Sequence, residues 1–396
     1  MSRTTPSTLH SNAERLPLGG LLALAMTSFI TLLTEIMPAG LLSSIANGLS
    51  VSESLAGQFI TAYSVGALVA AIPVTVLTQG MRRRPLLLFS IFGFAVVNLI
   101  TALSRDFSLS LITRFIAGVF GGLVWSLMAG YAVRMSPSHL SGRAIAISGG
   151  GGTVALVLGV PLGTLLGRYI GWQAAFGLMS VVALLLTVWV LAIVPDFAGQ
   201  SEDQRRSLAH VLQKGGIRAV LFVVFTYVGA HNMLYIYIEP LIQPSGLASN
   251  VDVVLFTFGL GSISGVWLAG TLVDRRLRFL AVASIVVFAV ASLLLGLWGS
   301  SAPMVYLAVA IWGLAVGGFA TITQTALSRL SGESVDVAQS FYTTGWNLAV
   351  ATGGLVGGIL LDRAGSASLP WVAISLIAAA FLGTVFFMNR KLALKH

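Results

Sequence analysis

One carboxylate, Glu35, lies inside the first long apolar stretch of the chain, three residues before Pro38. A charged side chain at the centre of a bilayer costs about 2.5–3.5 kcal/mol on insertion scales, and intramembrane acids usually have a function. A low-dielectric cavity disfavours the charged form of a carboxyl, so the group binds a proton more readily than it does in water. Glu35 is therefore the leading candidate for a proton-binding residue.

A second ionisable residue, Arg114, falls inside the fourth apolar stretch. Its spacing from Gly118, Gly121 and Trp125 is typical of one helix face. An arginine in the same cavity as Glu35 would stabilise the deprotonated carboxyl, whereas an arginine near the membrane surface would extend to the headgroups. The spacing favours the inward position, which makes Arg114 a second proton-coupling candidate.

The seventh apolar stretch carries the densest polar stripe, in which Tyr227, His231, Tyr235 and Glu239 are four residues apart. Such a face turns away from lipid. His231 has a side chain that titrates near physiological pH, but a buried histidine is more often a hydrogen-bonded core residue, and Glu239 is close enough to the span end to reach water. Both are kept as proton-coupling candidates behind Glu35. Tyr235 and Tyr237 could equally form an interfacial aromatic belt.

Polar and aromatic residues in several apolar stretches are candidates for substrate binding. Aromatic faces stack on rings and amides bind hydroxyls, so they suit neutral, partly apolar ligands such as sugars or amphiphilic drugs. Tight packing explains each aromatic residue equally well, and Asn98 in the third stretch is expected to make a helix–helix hydrogen bond. The substrate-binding candidates are Thr31, Tyr63, Trp125, Asn232, Tyr235, Tyr237, Gln324, Tyr342, Trp346 and Asn347.

Threonines share one face of the first stretch with its proline. Thr27, Thr31, Thr34 and Pro38 follow each other at three- or four-residue steps. A proline frees a backbone carbonyl and can kink the helix. We expect the threonine hydroxyls to satisfy that carbonyl; the alternative is that the threonines line a cavity together with Glu35.

The composition places these residues in a membrane protein. The 396 residues are 56% hydrophobic and 9% charged, with a mean hydropathy of +0.93, whereas soluble domains carry about 25% charged residues. The chain has no cysteine, which excludes disulfides and thiolate metal sites. Its net charge of +9 comes from basic residues scattered among short loops, so no nucleic-acid partner is predicted.

Twelve apolar stretches are long enough to cross a bilayer as helices, which takes about 20 residues each. The first is too long for a signal-peptide core, so we expect it to be retained. The sequence therefore predicts an all-α polytopic membrane protein with twelve transmembrane helices. The predicted spans are 17–45, 55–79, 85–104, 107–134, 143–167, 172–194, 218–242, 252–273, 278–299, 302–328, 336–361 and 369–389.

Positive charge is distributed asymmetrically between the predicted loops. With both termini in the cytoplasm, only Arg105, Arg168 and Arg363 lie on the opposite side, and 18 of the 22 basic residues lie in cytoplasmic segments. This asymmetry agrees with the positive-inside rule. It supports the span count and predicts that both termini are cytoplasmic.

A polar segment from Pro195 to Arg218 divides the spans into two groups of six. Arg82–Arg84 after span two resembles Asp274–Arg278 after span eight, and Gly118–Gly122 resembles Gly313–Gly318. This shared order indicates two pseudo-symmetric six-helix bundles, which in transporters place the substrate site between them. The predicted organisation is a cytoplasmic tail (1–16), an N-terminal bundle (17–194), a cytoplasmic linker (195–217), a C-terminal bundle (218–389) and a cytoplasmic tail (390–396).

Glycines recur at helix-packing intervals in spans five and eleven. Gly159, Gly163 and Gly167 form two overlapping G-x-x-x-G steps around Pro161, and Gly353–Gly358 repeats the spacing. Small residues at this spacing let helix backbones approach closely. We expect these faces to pack where the two bundles meet and to accommodate their relative motion.

Several motifs resemble those of the major facilitator superfamily, over nearly the whole chain. Gly270–Arg275 resembles the family's loop motif, although its counterpart at Arg82–Arg84 lacks the aspartate. Arg114–Gly118 resembles the fourth-helix Arg-x-x-x-Gly motif. Gly159–Gly163 resembles the fifth-helix antiporter motif, with Val160 in place of a glycine.

The combination is most similar to the drug:proton antiporter-1 family, and within it to the bacterial sugar-efflux transporters related to the arabinose and isopropyl-thiogalactoside exporter. Three segments carry that closer resemblance: Thr34–Ser43, the span-five motif at Gly159–Gly163, and Tyr237–Pro240. It implies the major facilitator fold and a role for Arg114 in proton coupling. Pro38, Asp274 and Arg275 are expected to serve packing or conformational change.

The resemblance also implies a function. It implies a multi-pass protein of the bacterial inner membrane that exports small neutral or amphiphilic solutes, such as sugars, by proton antiport through alternating access. The implied partners are the lipid bilayer, a small-molecule substrate and protons, for a monomer that needs no cofactor beyond the proton gradient.

Other function classes have less support in the sequence. A multidrug, nucleoside or amino-acid antiporter of the same fold stays open as an alternative. A primary pump would need a Gly-x-x-x-x-Gly-Lys-Ser/Thr phosphate loop, and a membrane enzyme would need a nucleophile–base pair or a metal cluster; the sequence has neither pattern. A receptor without transport would not need Glu35 and Arg114 within the membrane.

Overall fold

The computed structural model describes residues 16–78, 80–137, 140–199, 215–331 and 335–385. These residues form α-helices joined by short turns. The first half of the chain holds α1 (Leu18–Ile36), α2 (Leu42–Leu49), α3 (Glu53–Val69), α4 (Thr75–Thr78), α5 (Arg83–Leu103), α6 (Phe107–Met135), α7 (Ser141–Val154), α8 (Val160–Ile170) and α9 (Trp172–Ile193). The second half holds α10 (Gly215–Ile236), α11 (Ile238–Ile242), α12 (Val251–Trp298), α13 (Ala302–Gly317), α14 (Phe319–Ser331), α15 (Val335–Ala364) and α16 (Leu369–Gly383). Most of the predicted linker and both tails lie outside the described residues.

Ten helical stretches among the described residues have the length and hydropathy to cross a bilayer. They run through both halves, from Leu18–Leu49 to Ser366–Gly383. The predicted all-α polytopic class is confirmed.

The longest helix, α12, has 48 residues, or about 72 Å at 1.5 Å per residue, more than twice the hydrocarbon thickness of a bilayer. Arg276 interrupts it with non-helical backbone angles (φ −134°, ψ 36°). The sequence predicted two spans, 252–273 and 278–299, with a basic loop between them. The structure has a sharp bend at one residue instead of that loop.

Two further breaks shape the site. α1 ends at Ile36 and is followed by a 3-10 turn, Met37–Leu41, because Pro38 has no N–H to continue the helix. α10 ends at Ile236, and Tyr237 (φ −106°, ψ 31°) separates it from α11. The expected continuous stripe through Glu239 is therefore wrong, since Glu239 lies on a separate short helix.

Helix packing defines the two halves and their contact. In the first half α1 packs on α6, α7 and α9, and α6 packs on α3 and α5. In the second half α10 packs on α15 and α16, and α12 packs on α13. The halves meet where α3 packs on α15 and where α8 packs on α12.

Candidate functional site

Arg114 lies fully buried on α6 in the first half. Its guanidinium donates a hydrogen bond to the backbone carbonyl of Thr34 on α1. Its Cζ is 5.2 Å from the ring centroid of Tyr63 and 5.5 Å from that of Phe176. Its Nε and Nη1 have no hydrogen-bond partner among the described residues. The guanidinium therefore keeps donors for a further acceptor.

Pro38 explains why the Thr34 carbonyl is available. In a continuous helix the N–H of residue 38 would bond to that carbonyl, but proline has no N–H. The expectation that threonine hydroxyls satisfy it is corrected by the structure. Thr27 and Thr31 donate to carbonyls one turn earlier, at 2.8 and 2.7 Å, and Arg114 binds the carbonyl of Thr34.

Glu35 is buried in the same region, with 9% of its surface exposed. It interacts electrostatically with Arg114 and with Tyr63. Among the described residues no ion pair within 4.0 Å involves its carboxyl. Glu35 and Arg114 thus share one buried site without a direct ion pair.

Sequence reasoning missed two contributors to this site. Phe176 on α9 covers one face of the guanidinium, and Asn98 on α5 donates from Nδ2 to Thr34 Oγ1 at 3.3 Å. A Phe in an apolar stretch carries no signal of its own. The expected helix–helix hydrogen bond of Asn98 is present. Its partner, Thr34, is the residue before Glu35, so the bond belongs to the site.

Glu239 makes a contact between the two halves. Its Oε2 accepts a hydrogen bond from the backbone N–H of Ser43 at 2.9 Å. The Ser43 hydroxyl in turn bonds to Glu53 at the start of α3. Two carboxylates from opposite halves therefore meet at one serine.

Tyr237 and Arg168 contribute to the same end of the molecule. The Tyr237 hydroxyl donates to the carbonyl of Gly354 at 2.8 Å and accepts from Gln58 Nε2 at 3.2 Å. Arg168, at the end of α8, forms an ion pair with Asp252 at the start of α12. Tyr237, fully buried, is part of the contact between the halves and does not lie in an interfacial belt.

His231 and Tyr235 lie in an aromatic cluster of the second half. The His231 ring stacks on Phe258 at 5.7 Å and meets Trp312 edge-on at 5.4 Å. Tyr235 is 2% exposed and packs on the same rings. His231 Nδ1 and the Tyr235 hydroxyl have no partner within the described chain. Tyr227, the first residue of the predicted stripe, stacks on a different ring, that of Phe319, at 3.7 Å.

The remaining substrate-binding candidates are spread over several helices. Asn232 and Asn347 donate to carbonyls one turn earlier in their own helices, at 3.0 and 2.9 Å. The Tyr342 hydroxyl lies 2.9 Å from Thr323 Oγ1, and the ring of Trp346 is 5.8 Å from that of Tyr342. Thr31 and Tyr63 are fully buried, whereas Trp125 and Trp346 are half-buried and Gln324 is exposed.

The span-five glycines face a different neighbour from the one expected. A Cβ at Gly159 would meet Phe29 and Leu33, and one at Gly163 or Gly167 would meet Met37 or Leu41. All four neighbours belong to α1 or the turn after it, so the expectation that these glycines face the other half is wrong. The physical reason is that α1 packs directly against the segment containing Pro161. In span eleven, Gly354 does face the other half, at Thr61.

The opposite end of the molecule carries the basic loops. Asp274 pairs with Arg329 at 3.5 Å in an exposed position, and Arg275 is exposed beside it. The corresponding loop of the first half lacks an aspartate, but Asp196 after α9 takes that place. It pairs with Arg82 Nε at 2.6 Å and accepts the backbone N–H of Arg84 at 3.0 Å.

No group of three or more His, Cys, Asp or Glu side chains within the described ranges could hold a metal ion. The site consists of a buried acid–arginine pair, within a bundle of apolar helices. Together, the fold and this site define a polytopic membrane protein that keeps ionisable side chains buried among its helices.

Comparison with known proteins identifies the family. A model of the Major Facilitator Superfamily matches residues 24–285 and 248–395, and the chain belongs to that superfamily. Its members are transporters, not enzymes, and need no cofactor. The predicted resemblance is confirmed.

Curated relatives cover nearly the whole chain. A probable sugar efflux transporter of Helicobacter pylori (strain G27) is 27% identical over 372 residues, which is 93% of this chain and 95% of the relative. The purine ribonucleoside efflux pump NepI of Escherichia coli (strain K12) is 27% identical over 366 residues, 92% of this chain and 91% of the pump.

Solved structures share the fold. A point mutant of the nucleoside transporter NupG superposes with a TM-score of 0.74 at 15% identity, covering 95% of this chain and all of that one. The human organic anion transporter MFSD10 (TETRAN) gives a TM-score of 0.64 at 19% identity over 93% and 97% of the two chains.

Proposed function

We propose that this transporter exports small neutral or amphiphilic solutes, such as sugars, in exchange for protons. The observation that carries the proposal is the buried Arg114 beside Glu35, with two guanidinium nitrogens unpaired among the described residues. A buried charge is costly unless it is paired, so such a residue is kept for a function. Proton binding at Glu35 is that function.

The chemistry follows from two protonation states. Deprotonated Glu35 is a carboxylate that can take the free donors of Arg114, and two unit charges at 4 Å attract by about 4 kcal/mol at an effective dielectric of 20. Protonated Glu35 lacks that attraction and leaves Arg114 on the Thr34 carbonyl. The difference is large enough to shift a conformational equilibrium. The break at Pro38 lets the outer part of span one move separately.

The topology completes the proposal. Ten stretches within the described part of the chain qualify as membrane spans; counting the bent α12 as two crossings and adding residues 53–78 gives twelve. Both termini lie in the cytoplasm. The twelve spans form two six-helix bundles, residues 17–194 and 218–389. The protein is a monomer of the bacterial inner membrane.

The structure supports a state that is sealed on the outer side. The contacts of Glu239, Tyr237 and Arg168 with the opposite half lie at the end away from the basic loops. By the positive-inside rule that end faces outwards. The outer seal, as we call these three contacts, would open when the substrate leaves.

The substrate class rests on the relatives. Export is supported by the names of a sugar efflux transporter and a ribonucleoside efflux pump. Sugars are the first candidate class, and nucleosides are the second, since both are neutral and hydroxylated. A multidrug or amino-acid antiporter stays an alternative.

Transport by the purified protein in proteoliposomes tests this function. A panel of labelled sugars, nucleosides and dyes is offered with and without an imposed pH gradient. We expect uphill movement of at least one sugar or nucleoside only with the gradient. Transport at the same rate with and without the pH gradient would contradict antiport. No movement of any solute in the panel would contradict the proposed transport of sugars or nucleosides.

A further inference from the structure

Asn98 on α5 binds the same residue as Arg114. Its side chain is 1% exposed, and its Nδ2 donates to Thr34 Oγ1 at 3.3 Å. Arg114 donates to the carbonyl oxygen of Thr34. Because these two oxygens belong to one residue, the amide of Asn98 and the guanidinium of Arg114 occupy neighbouring positions.

Both side chains have unpaired atoms at this place. Asn98 Oδ1 is a buried acceptor without a donor, and Arg114 Nε and Nη1 are buried donors without an acceptor, among the described residues. Leaving a buried polar group unpaired costs about 1–3 kcal/mol, and more for a charged group. The unpaired atoms are complementary, since Asn98 offers an acceptor and Arg114 offers donors.

The structure assigns Asn98 as a positioning residue of the proton site. When Glu35 is protonated, Asn98 Oδ1 accepts a hydrogen bond from Arg114; when Glu35 is deprotonated, Arg114 turns to the carboxylate. Asn98 thereby sets the pH at which Glu35 takes a proton. This assignment rests on the proposed proton antiport.

An amide suits this task because it carries no charge at any physiological pH. A carboxylate in its place would bind Arg114 permanently, and an apolar side chain would leave Arg114 Nε and Nη1 without an acceptor whenever Glu35 is neutral. Among the described residues, three titratable groups interact with one another at this site: Glu35, Arg114 and Tyr63 on α3. From α9 the site receives Phe176, which does not titrate.

The test follows Glu35 directly, without relying on transport. The purified protein in lipid is titrated by infrared spectroscopy, and the C=O stretching band of the protonated Glu35 carboxyl is identified by its loss in Glu35→Gln. Ser90→Ala is the matched control, since Ser90 is a buried polar residue of α5 whose hydroxyl, among the described residues, donates within its own helix, to the carbonyl of Leu86 at 3.0 Å.

Two Asn98 variants should move the midpoint in opposite directions. Asn98→Leu leaves Arg114 dependent on the Glu35 carboxylate, so the midpoint should fall by about one pH unit, the equivalent of one charged hydrogen bond. Asn98→Asp supplies a competing carboxylate, so the midpoint should rise by about as much. Aspartate has nearly the same shape as asparagine, so Asn98→Asp can be titrated even if Asn98→Leu does not fold.

Midpoints equal to that of the wild type in folded Asn98 variants would overturn the assignment, because a structural role would alter stability without moving the titration. A Glu35 band that never appears in the wild type would also overturn it. Transport by the same preparations reports separately on the function. Shifted midpoints without export of any solute would support the positioning role and contradict antiport.

Discussion

At the residue scale, a proline and an arginine from different segments act on one backbone carbonyl, that of Thr34. Pro38 removes the N–H that would bind the Thr34 carbonyl, and Arg114 takes its place from α6. The arginine is thereby held one residue from Glu35. This explains how a buried guanidinium is kept in the apolar bundle without a permanent ion pair.

Replacing Pro38 by Ala should impair proton coupling. The new N–H would compete for the Thr34 carbonyl, and Arg114 would lose a charged hydrogen bond of about 1.5–3 kcal/mol. We expect a folded protein whose gradient-driven export falls about tenfold or more. Export is measured in proteoliposomes, with Pro73→Ala as the control because Pro73 is an exposed proline in another span. Export at the wild-type rate would show that Arg114 does not need this carbonyl.

At the element scale, span five is a close-packed support for span one. Gly159 and Gly163 face Phe29, Leu33 and Met37, so this face positions the helix that carries Glu35. The face does not form the contact between the halves. Span five contacts the other half through another residue, Val157, which lies against Gly259 of α12.

Gly159→Leu should leave the protein inserted but inactive. A leucine there has to displace Phe29 and Leu33, and overpacking of this kind costs about 1–3 kcal/mol. We expect normal membrane yield, a lowered melting temperature and loss of export. Gly150→Leu is the control, since a Cβ at Gly150 meets open space. Wild-type export by a well-expressed Gly159→Leu variant would contradict the role of this contact.

A second element-scale prediction concerns the segment after α9. The backbone N–H of Arg84 and the side chain of Arg82 hold the pKa of Asp196 below its ordinary value. A carboxyl with a lowered pKa stabilises the fold above its ordinary pKa and loses this effect only as the pH falls through the lowered value. The contribution of Asp196 should therefore be constant from about pH 5 upwards.

Asp196→Asn tests this assignment. We expect the same drop in melting temperature at about pH 6 and about pH 8. Asp274→Asn, which removes an exposed and longer ion pair, should cause a smaller drop. A loss that changes between the two pH values would show that another group titrates there.

The sequence was sufficient for the all-α polytopic class and insufficient for the contacts between helices. Hydropathy predicts the spans because a lipid-facing helix must be apolar throughout its length. The break at Tyr237 was missed although Pro240 signals it, because proline has no N–H to bond to the carbonyl of Ile236, where α10 ends. The partner of the Thr34 carbonyl was also missed, since the freed carbonyl can be read from Pro38 but the helix that approaches it depends on tertiary packing.

The candidate site was only partly predictable for the same reason. Glu35 and Arg114 stand out as ionisable residues in apolar stretches, and that signal needs no structure. Asn98 and Phe176 gave no comparable signal, because an amide or a phenylalanine is ordinary in a membrane helix. The role of Asp196 was hidden because the sequence motif places an aspartate in a different loop.

At the scale of the whole molecule, the two halves are linked by polar contacts at the end away from the basic loops. The ion pair of Arg168 with Asp252, the contact of Glu239 with Ser43 and the network around Tyr237 join helices of opposite halves. The Arg168 side chain is partly exposed, so its ion pair is expected to contribute about 1 kcal/mol or less to the outer seal.

Reversing one charge of the seal should open it. Because the chain has no cysteine, a single cysteine in place of Thr61, which lies against Gly354, reports access from outside. Arg168→Glu removes an ion pair of about 1 kcal/mol at most, so labelling by an impermeant maleimide should quicken by up to about fivefold. Adding Asp252→Arg should restore the slow rate. Fast labelling in the double variant would contradict the role of this pair.

The central claim is that Glu35 carries the proton that drives export. The most direct measurement compares wild type and Glu35→Gln in proteoliposomes, following efflux of the same labelled solute under an imposed pH gradient and its exchange without one. We predict that Glu35→Gln loses the gradient-driven efflux and keeps binding and exchange. Gradient-driven efflux that persists in Glu35→Gln would contradict the claim and leave Glu35 with a structural role.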